Sequence, residues 1–200
     1  MKYIPVFPLN TVVFVNGILQ LQIFEQRYLN LVKACMKDQH GFVTVLIRDG
    51  KEVNDTPEIF SIGTYVEIID WNTLDNHLLG ITIQGRQRVQ INKTHIQKDN
   101  LISAEIDYID NLTAQKTDII DEDLVSLMQH LHKHPFVSGK YPEIDCTSPT
   151  EIAYKLCELL PVANNEKQQL LEVDQTHILL DRLKTIISRL ENLNPDNGFQ

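Results

Sequence analysis

The sequence predicts an α+β protein in which a small β-barrel is followed by an α-helical bundle. Three observations predict it. Apolar residues recur with a period of two through the first half, the period lengthens to 3.6 after about residue 112, and glycines and prolines fall between the segments so defined. The expected division is a β subdomain over residues 1–112 and a helical subdomain over residues 113–200. No internal repeat or low-complexity tract interrupts it.

The opening residues, Met1 to Asn10, carry Pro5 and Pro8, which break any apolar core of a signal peptide. Leu19, Leu21 and Ile23 alternate with Gln20 and Gln22, the pattern of a half-buried strand. From Phe24 to Asp38 the pattern turns helical: Phe24, Tyr28, Leu31, Val32 and Cys35 form one apolar stripe. This single amphipathic helix is expected to cover an open end of the barrel. A β-branched run follows from Gly41 to Ile47, then a strand from Gly63 to Trp71, a hairpin loop at Asn72 to Asn76 and a return strand from His77 to Gln84. Gly85 permits a bend or bulge before Val89 and Ile91 resume the alternation. A last strand fits Leu101 to Ile109, with Ile102, Ala104, Ile106 and Tyr108 facing inward.

In the second half, Ile120, Leu124, Leu127, Met128 and Leu131 mark a helix that Pro135 stops near His134. Pro135 to Pro149, with three prolines and a glycine, reads as a loop. Thr150 or Ser148 caps a helix through Ile152, Leu156, Leu159 and Leu160, ended by Pro161. Asn164 or Asn165 caps a short helix ending near Glu172, and Asp174 caps a long one carrying Leu179, Leu183, Ile186, Ile187 and Leu190. The tail from Asn194 to Gly198 reads as a fraying end.

Composition narrows the function. Apolar residues make up 42% and charged residues 22% of the 200, ordinary values for a globular protein, and the net charge of −9 opposes binding to nucleic acid or to an anionic membrane. No apolar stretch approaches the length of a membrane span. Cys35, Cys146 and Cys157 form no C-x-x-C pair and are expected to be reduced thiols in a cytoplasmic protein.

The candidate chemistry is thin. His130, His132 and His134 are spaced so that only the first and last share a helix face, and no H-E-x-x-H pattern supplies further zinc ligands. Ser138 and Lys140 superficially resemble a Ser/Lys dyad, but no G-x-S-x-G elbow holds a serine in place. No phosphate-binding glycine motif occurs. Catalytic, cofactor and metal residues are accordingly expected to be absent. Arg86 and Arg88, with Lys93 and Lys98 downstream, form a local basic cluster, read as a solvated outer barrel face or as a phosphate or RNA contact. Trp71, Phe136 and Tyr141 are expected at exposed positions and are the candidate peptide-binding residues.

Ile4-Pro-Val-Phe-Pro-Leu9, Leu19-x-Leu-x-Ile-Phe-Glu25-x-Arg27-Tyr28, Gly63-Thr64, Gly85-Arg-Gln-Arg88, Leu159-Leu-Pro161, Glu166-Lys-Gln-Gln-Leu-Leu-Glu172, Asp174 and Arg182-Leu183 together resemble the N-terminal substrate-binding domain of the Lon proteases. Val15-Asn16-Gly17 departs from the Phe-Pro-Gly turn usual in that family. The resemblance implies a PUA-like pseudo-barrel, a helical subdomain, and a non-catalytic role in docking unfolded or specific protein substrates. No ATPase or protease segment follows, so the expectation is a stand-alone relative, with a protease or chaperone among its partners. Two alternatives stay open: an RNA-binding PUA-like barrel, and a metal-dependent enzyme using His130 and His134.

Overall fold

A computed structural model describes residues 3–50, 57–75, 77–113 and 121–193. The expectations for Asn76, Ile120 and the tail from Asn194 to Gly198 lie outside the described residues. The chain forms two compact units, the first made of Met1–Asn111 with Val162–Leu171 and the second of Leu112–Pro161 with Glu172–Gln200.

The first unit holds β1 (Ile4–Leu9), β2 (Ile18–Ile23), α1 (Gln26–Asp38), β3 (Phe42–Asp49), β4 (Glu58–Ile59), β5 (Ile62–Thr73), β6 (Leu79–Ile96) and β7 (Ile102–Ile109). Strands run in the order β1-β7-β6-β5-β3-β4, and a parallel β1–β3 ladder from Val6↔Val43 to Leu9↔Leu46 closes the ring. The strand β1 was not read from the sequence, where Pro5 and Pro8 were used only to exclude a signal peptide. Each proline sits where only one neighbour is paired: Pro5 lies before the β3 ladder begins, and Pro8 lies beyond Val6, where the β7 ladder ends. A missing N–H is tolerated at such positions.

The hairpin of β5 and β6 dominates the sheet. Its register slips twice. Tyr65 pairs Gln87 while Val66 pairs Gly85, which leaves Arg86 as an extra residue on β6; Ile68 pairs Ile83 while Asp70 pairs Thr82, which leaves Ile69 extra on β5. The first bulge lies beside Gly85, where a bend was expected. A Cβ there would stand 2.1 Å from the Phe14 carbonyl oxygen, so the close approach requires glycine.

One core cluster joins Tyr28, Leu31, Val32 and Cys35 of α1 to Phe7, Ile23, Phe42, Ile81 and Ile83 of the strands. The Phe7 and Tyr28 rings stack 3.9 Å apart. The helical stripe is thus as expected from Tyr28 onward, but Phe24 is exposed. The helix starts at Gln26 because Glu25 is extended, and its carboxylate is held by Arg27 at 2.9 Å. A second cluster gathers Val6, Val43, Val45, Val89, Ile91, Ile102 and Ala104. Tyr108, expected inward, is half exposed and meets Tyr65 edge-on at 5.8 Å.

The short helix α5 (Asn164–Leu171) belongs to this unit. Asn164 Nδ2 donates to the Asn10 carbonyl, and Gln168 Nε2 donates to the Ile62 carbonyl at 3.0 Å. Arg88, 2% exposed, donates from Nη1 to the Leu171 carbonyl (3.2 Å) and from Nη2 to the Asp110 carbonyl (2.8 Å). The Arg86–Arg88 face expected from strand alternation is therefore split: Arg88 is internal, and Arg86 lies outside, paired with Glu67 at 2.8 Å. The bulge at Arg86 is the reason, because an inserted residue resets the parity of the strand.

The second unit holds α2 (Glu122–His132), α3 (Pro135–Lys140), α4 (Pro149–Leu159) and α6 (Thr176–Leu193), which bury Leu124, Met128, Ile152, Leu156, Leu179 and Leu183. Asp121 caps α2, its carboxylate accepting from the Asp123 N–H at 3.0 Å. Ser148 caps α4 with Pro149 in its first turn. The segment read as a loop after Pro135 opens instead with α3. His134 is extended, as a residue before proline must be, and its Nδ1 accepts from the Phe136 N–H, so the proline starts a helix as well as ending one.

Candidate functional site

Beyond Val66 the ladder between β3 and β5 ends, with Phe42↔Val66 as its last pair. The outer half of β5, Glu67 to Thr73, continues to pair with β6 from Gln84 to Leu79, and β6 pairs in turn with β2. Among the described residues no strand lies on the other side of this outer half. A groove of about 480 Å³ occupies that place, lined by Cys35, Met36, Gln39 and His40 from the C-terminal end of α1 and by Glu67, Ile68, Ile69, Asp70 and Trp71 from β5.

The bulge at Ile69 shapes the groove. It shifts parity so that Trp71 pairs Ile81 and shares the face of that buried residue, yet Trp71 is 57% exposed. Ile69 is 44% exposed and Met36 is exposed beside it. The Trp71 N–H donates to Asp70 Oδ1 at 2.8 Å. The last turn of α1 closes with Gln39 in the left-handed region, and the N–H groups of Gln39 and His40 both donate to the Cys35 carbonyl. Burial pushes the Cys35 thiol up to about 11, and its Sγ lies 3.8 Å from the Gly41 carbonyl. A thiol so poised is neutral at physiological pH and serves as packing rather than as a nucleophile.

The other candidates fall in the second unit. Phe136, on α3, is 68% exposed, as expected. Tyr141 was expected exposed but is buried: its hydroxyl donates to Glu158 Oε2 at 2.5 Å and its ring lies 3.4 Å from Lys155 Nζ. The three histidines do not converge on one point. His132 Nε2 contacts the Tyr141 carbonyl at 2.8 Å, His134 caps α3, and His130 lines a separate groove between α2 and α6. Among the described residues no group of three or more His, Cys, Asp or Glu side chains is placed to hold a metal ion. Ser138 Oγ donates to the His134 carbonyl while Lys140 pairs with Glu158, so the two do not meet as a dyad.

Lys155 carries a pH dependence. Burial lowers its ammonium to about 8, against the ordinary 10.5, and the carboxylates of Glu158 and Glu151 offset only part of that. The unfolded chain therefore binds more protons than the folded one between about pH 8 and 10.5, and stability rises with pH across that window. Urea midpoints measured from pH 7 to pH 9, below the range in which the raised Cys35 thiol acts in the opposite direction, are expected to show this rise, and Lys155→Met to lose it.

Residues 3–192 match the family model of the ATP-dependent protease La (LON) substrate-binding domain. Relatives include a Lon protease of Brevibacillus choshinensis, 24% identical over 198 residues (94% of this chain, 25% of that protein), and Lon protease 1 of Bacillus subtilis, 26% identical over 203 residues (96% and 25%). The chain thus spans about a quarter of the length of the curated relatives it matches. The crystal structure of a Lon N-terminal domain protein from Xanthomonas campestris superposes with a TM-score of 0.73 at 23% identity, covering 92% of this chain and 98% of that one. The N-terminal domain of the Mycobacterium avium complex Lon protease gives a TM-score of 0.63 at 15% identity, covering 91% and 96%. No described helix is long and apolar enough to cross a membrane.

Proposed function

The chain belongs to the family of the ATP-dependent protease La (LON) substrate-binding domain, and from that premise we propose that it is a non-catalytic cytoplasmic module that binds extended segments of other proteins. The observation that carries this reading is the outer edge of β5 beside Trp71, against which no described strand lies. A strand edge offers a row of backbone donors and acceptors to any extended chain, which gives affinity with little dependence on sequence. Trp71 and Ile69 add apolar contact at the same place. Phe136 is the second candidate contact, on the helical unit; Tyr141, being internal, is withdrawn as one. Partners of this kind are unfolded or specific protein substrates, and a protease or chaperone that takes them over.

The RNA alternative is weakened by its own residues, since Arg88 is internal and Arg86 is engaged by Glu67. The test of the main reading is fluorescence anisotropy with labelled reduced, alkylated lysozyme against its folded form. The unfolded protein is expected to bind in the micromolar range and the folded one not to bind. Trp71→Ala is expected to weaken binding by about tenfold, the effect of removing an aromatic anchor. Equal binding by folded and unfolded forms, or none by either, refutes the reading.

A further inference from the structure

The groove beside β5 has a chemical character that the proposed function does not require. Its two charged lining residues are both carboxylates, Glu67 and Asp70, and its other wall is the C-terminal end of α1. Helix C-termini carry partial negative charge on their last carbonyls. Arg86 and Glu67 are paired and offset each other, and Lys37, in the last turn of α1, is not part of the lining. Asp70 stands in no ion pair among the described residues and lies between Ile69 and Trp71, two exposed apolar side chains. An exposed carboxylate outside any ion pair favours a cation on its face of the strand, and the exposed indole that follows it favours an apolar group on the other.

On the premise that this edge binds extended chains, we propose that the groove selects segments in which Lys or Arg residues are interleaved with large apolar ones, the basic group meeting Asp70 on one face of β5 and the apolar group meeting Met36, Ile69 and Trp71. Strand geometry fits such a segment. Successive side chains point to opposite faces, so an added strand beside β5 directs alternate residues toward the Trp71 face and toward the Asp70 face.

Trp71 is the sole tryptophan of the chain, which makes its emission a direct report on this groove. The experiment titrates the protein with short end-labelled peptides that alternate Lys with Val, Glu with Val, and Ser with Val, reading peptide anisotropy and Trp71 emission together. The Lys peptide is expected to bind about tenfold or more tighter than the Glu peptide at low salt, to shift Trp71 emission, and to lose its advantage as salt is raised. Asp70→Asn is expected to weaken the Lys peptide about three- to fivefold, the scale of an exposed ion pair, and to leave the Ser peptide unchanged. Equal binding of Lys and Glu peptides with a Trp71 response overturns the charge selection and leaves the proposed function standing. Binding that moves anisotropy but not Trp71 emission overturns the choice of groove, again without touching that function. Failure of all three peptides, together with failure of unfolded lysozyme, removes both.

Discussion

Arg88→Ala is expected to cost about 4 kcal/mol of stability and to lower the melting temperature by about 10 °C. The reasoning starts from burial. Arg88 is among the largest fully buried side chains, and its guanidinium binds two backbone carbonyls, those of Asp110 and Leu171, that are far apart in sequence. Truncation leaves both acceptors without that donor, at about 1–3 kcal/mol each, and leaves a cavity where the side chain was. Leu171 is the last residue of α5, so the loss falls on the attachment of that helix to the strands. Arg88→Lys is expected to recover only part, since one compact ammonium does not reproduce the planar fork that spans two carbonyls. Thermal melts by circular dichroism read both variants. A shift under about 2 °C for the alanine variant contradicts the assignment.

Gly41→Ala is expected to be damaging on a comparable scale. A Cβ at this position would lie 1.9 Å from the Val66 carbonyl oxygen and 2.8 Å from the Tyr65 ring, at the point where β3 joins β5. The backbone oxygen belongs to the ladder and cannot rotate away, so the strands must part. Overpacking of this kind commonly costs about 1–3 kcal/mol, and more where backbone must move. The Gly41 N–H also donates to the Tyr65 hydroxyl at 2.6 Å, a bond that the displacement would break. Gly139→Ala is the matched control. Nothing lies within 4 Å of a Cβ there and the residue is helical, so stability is expected to hold or rise slightly. Urea unfolding of the two variants separates steric cost from the generic loss of a glycine. Equal midpoints would show that the strands at Gly41 give way easily.

Much of this architecture was legible in the chain. Alternation at Leu19, Leu21 and Ile23 and the stripe Tyr28, Leu31, Val32 and Cys35 located β2 and α1, because local period alone decides which face is buried. The family resemblance is borne out by the match over residues 3–192. What escaped was set by tertiary pairing. The strand β1 is a strand because β3 and β7 flank it, and no local pattern outweighs two prolines. The parity of β5 and β6 depends on bulges at Ile69 and Arg86, whose placement requires the partner strand, so Arg88 could not be seen as internal nor Trp71 as sharing the face of Ile81. Tyr141 looked exposed because it sits among prolines and a glycine, but its ring is enclosed beside Lys155. Of the candidate site, the sequence offered Trp71 alone. The end of α1, Ile69 and Asp70 join it only through the fold.

Hydrogen exchange of the β5 backbone, with and without a saturating unfolded polypeptide, tests most directly whether this edge receives an added strand. Protection is predicted to rise at amides between Glu67 and Thr73 and to stay unchanged on the closed β1–β3 side of the ring. Binding that leaves those amides exchanging at their free rate would place the contact elsewhere and contradict the account.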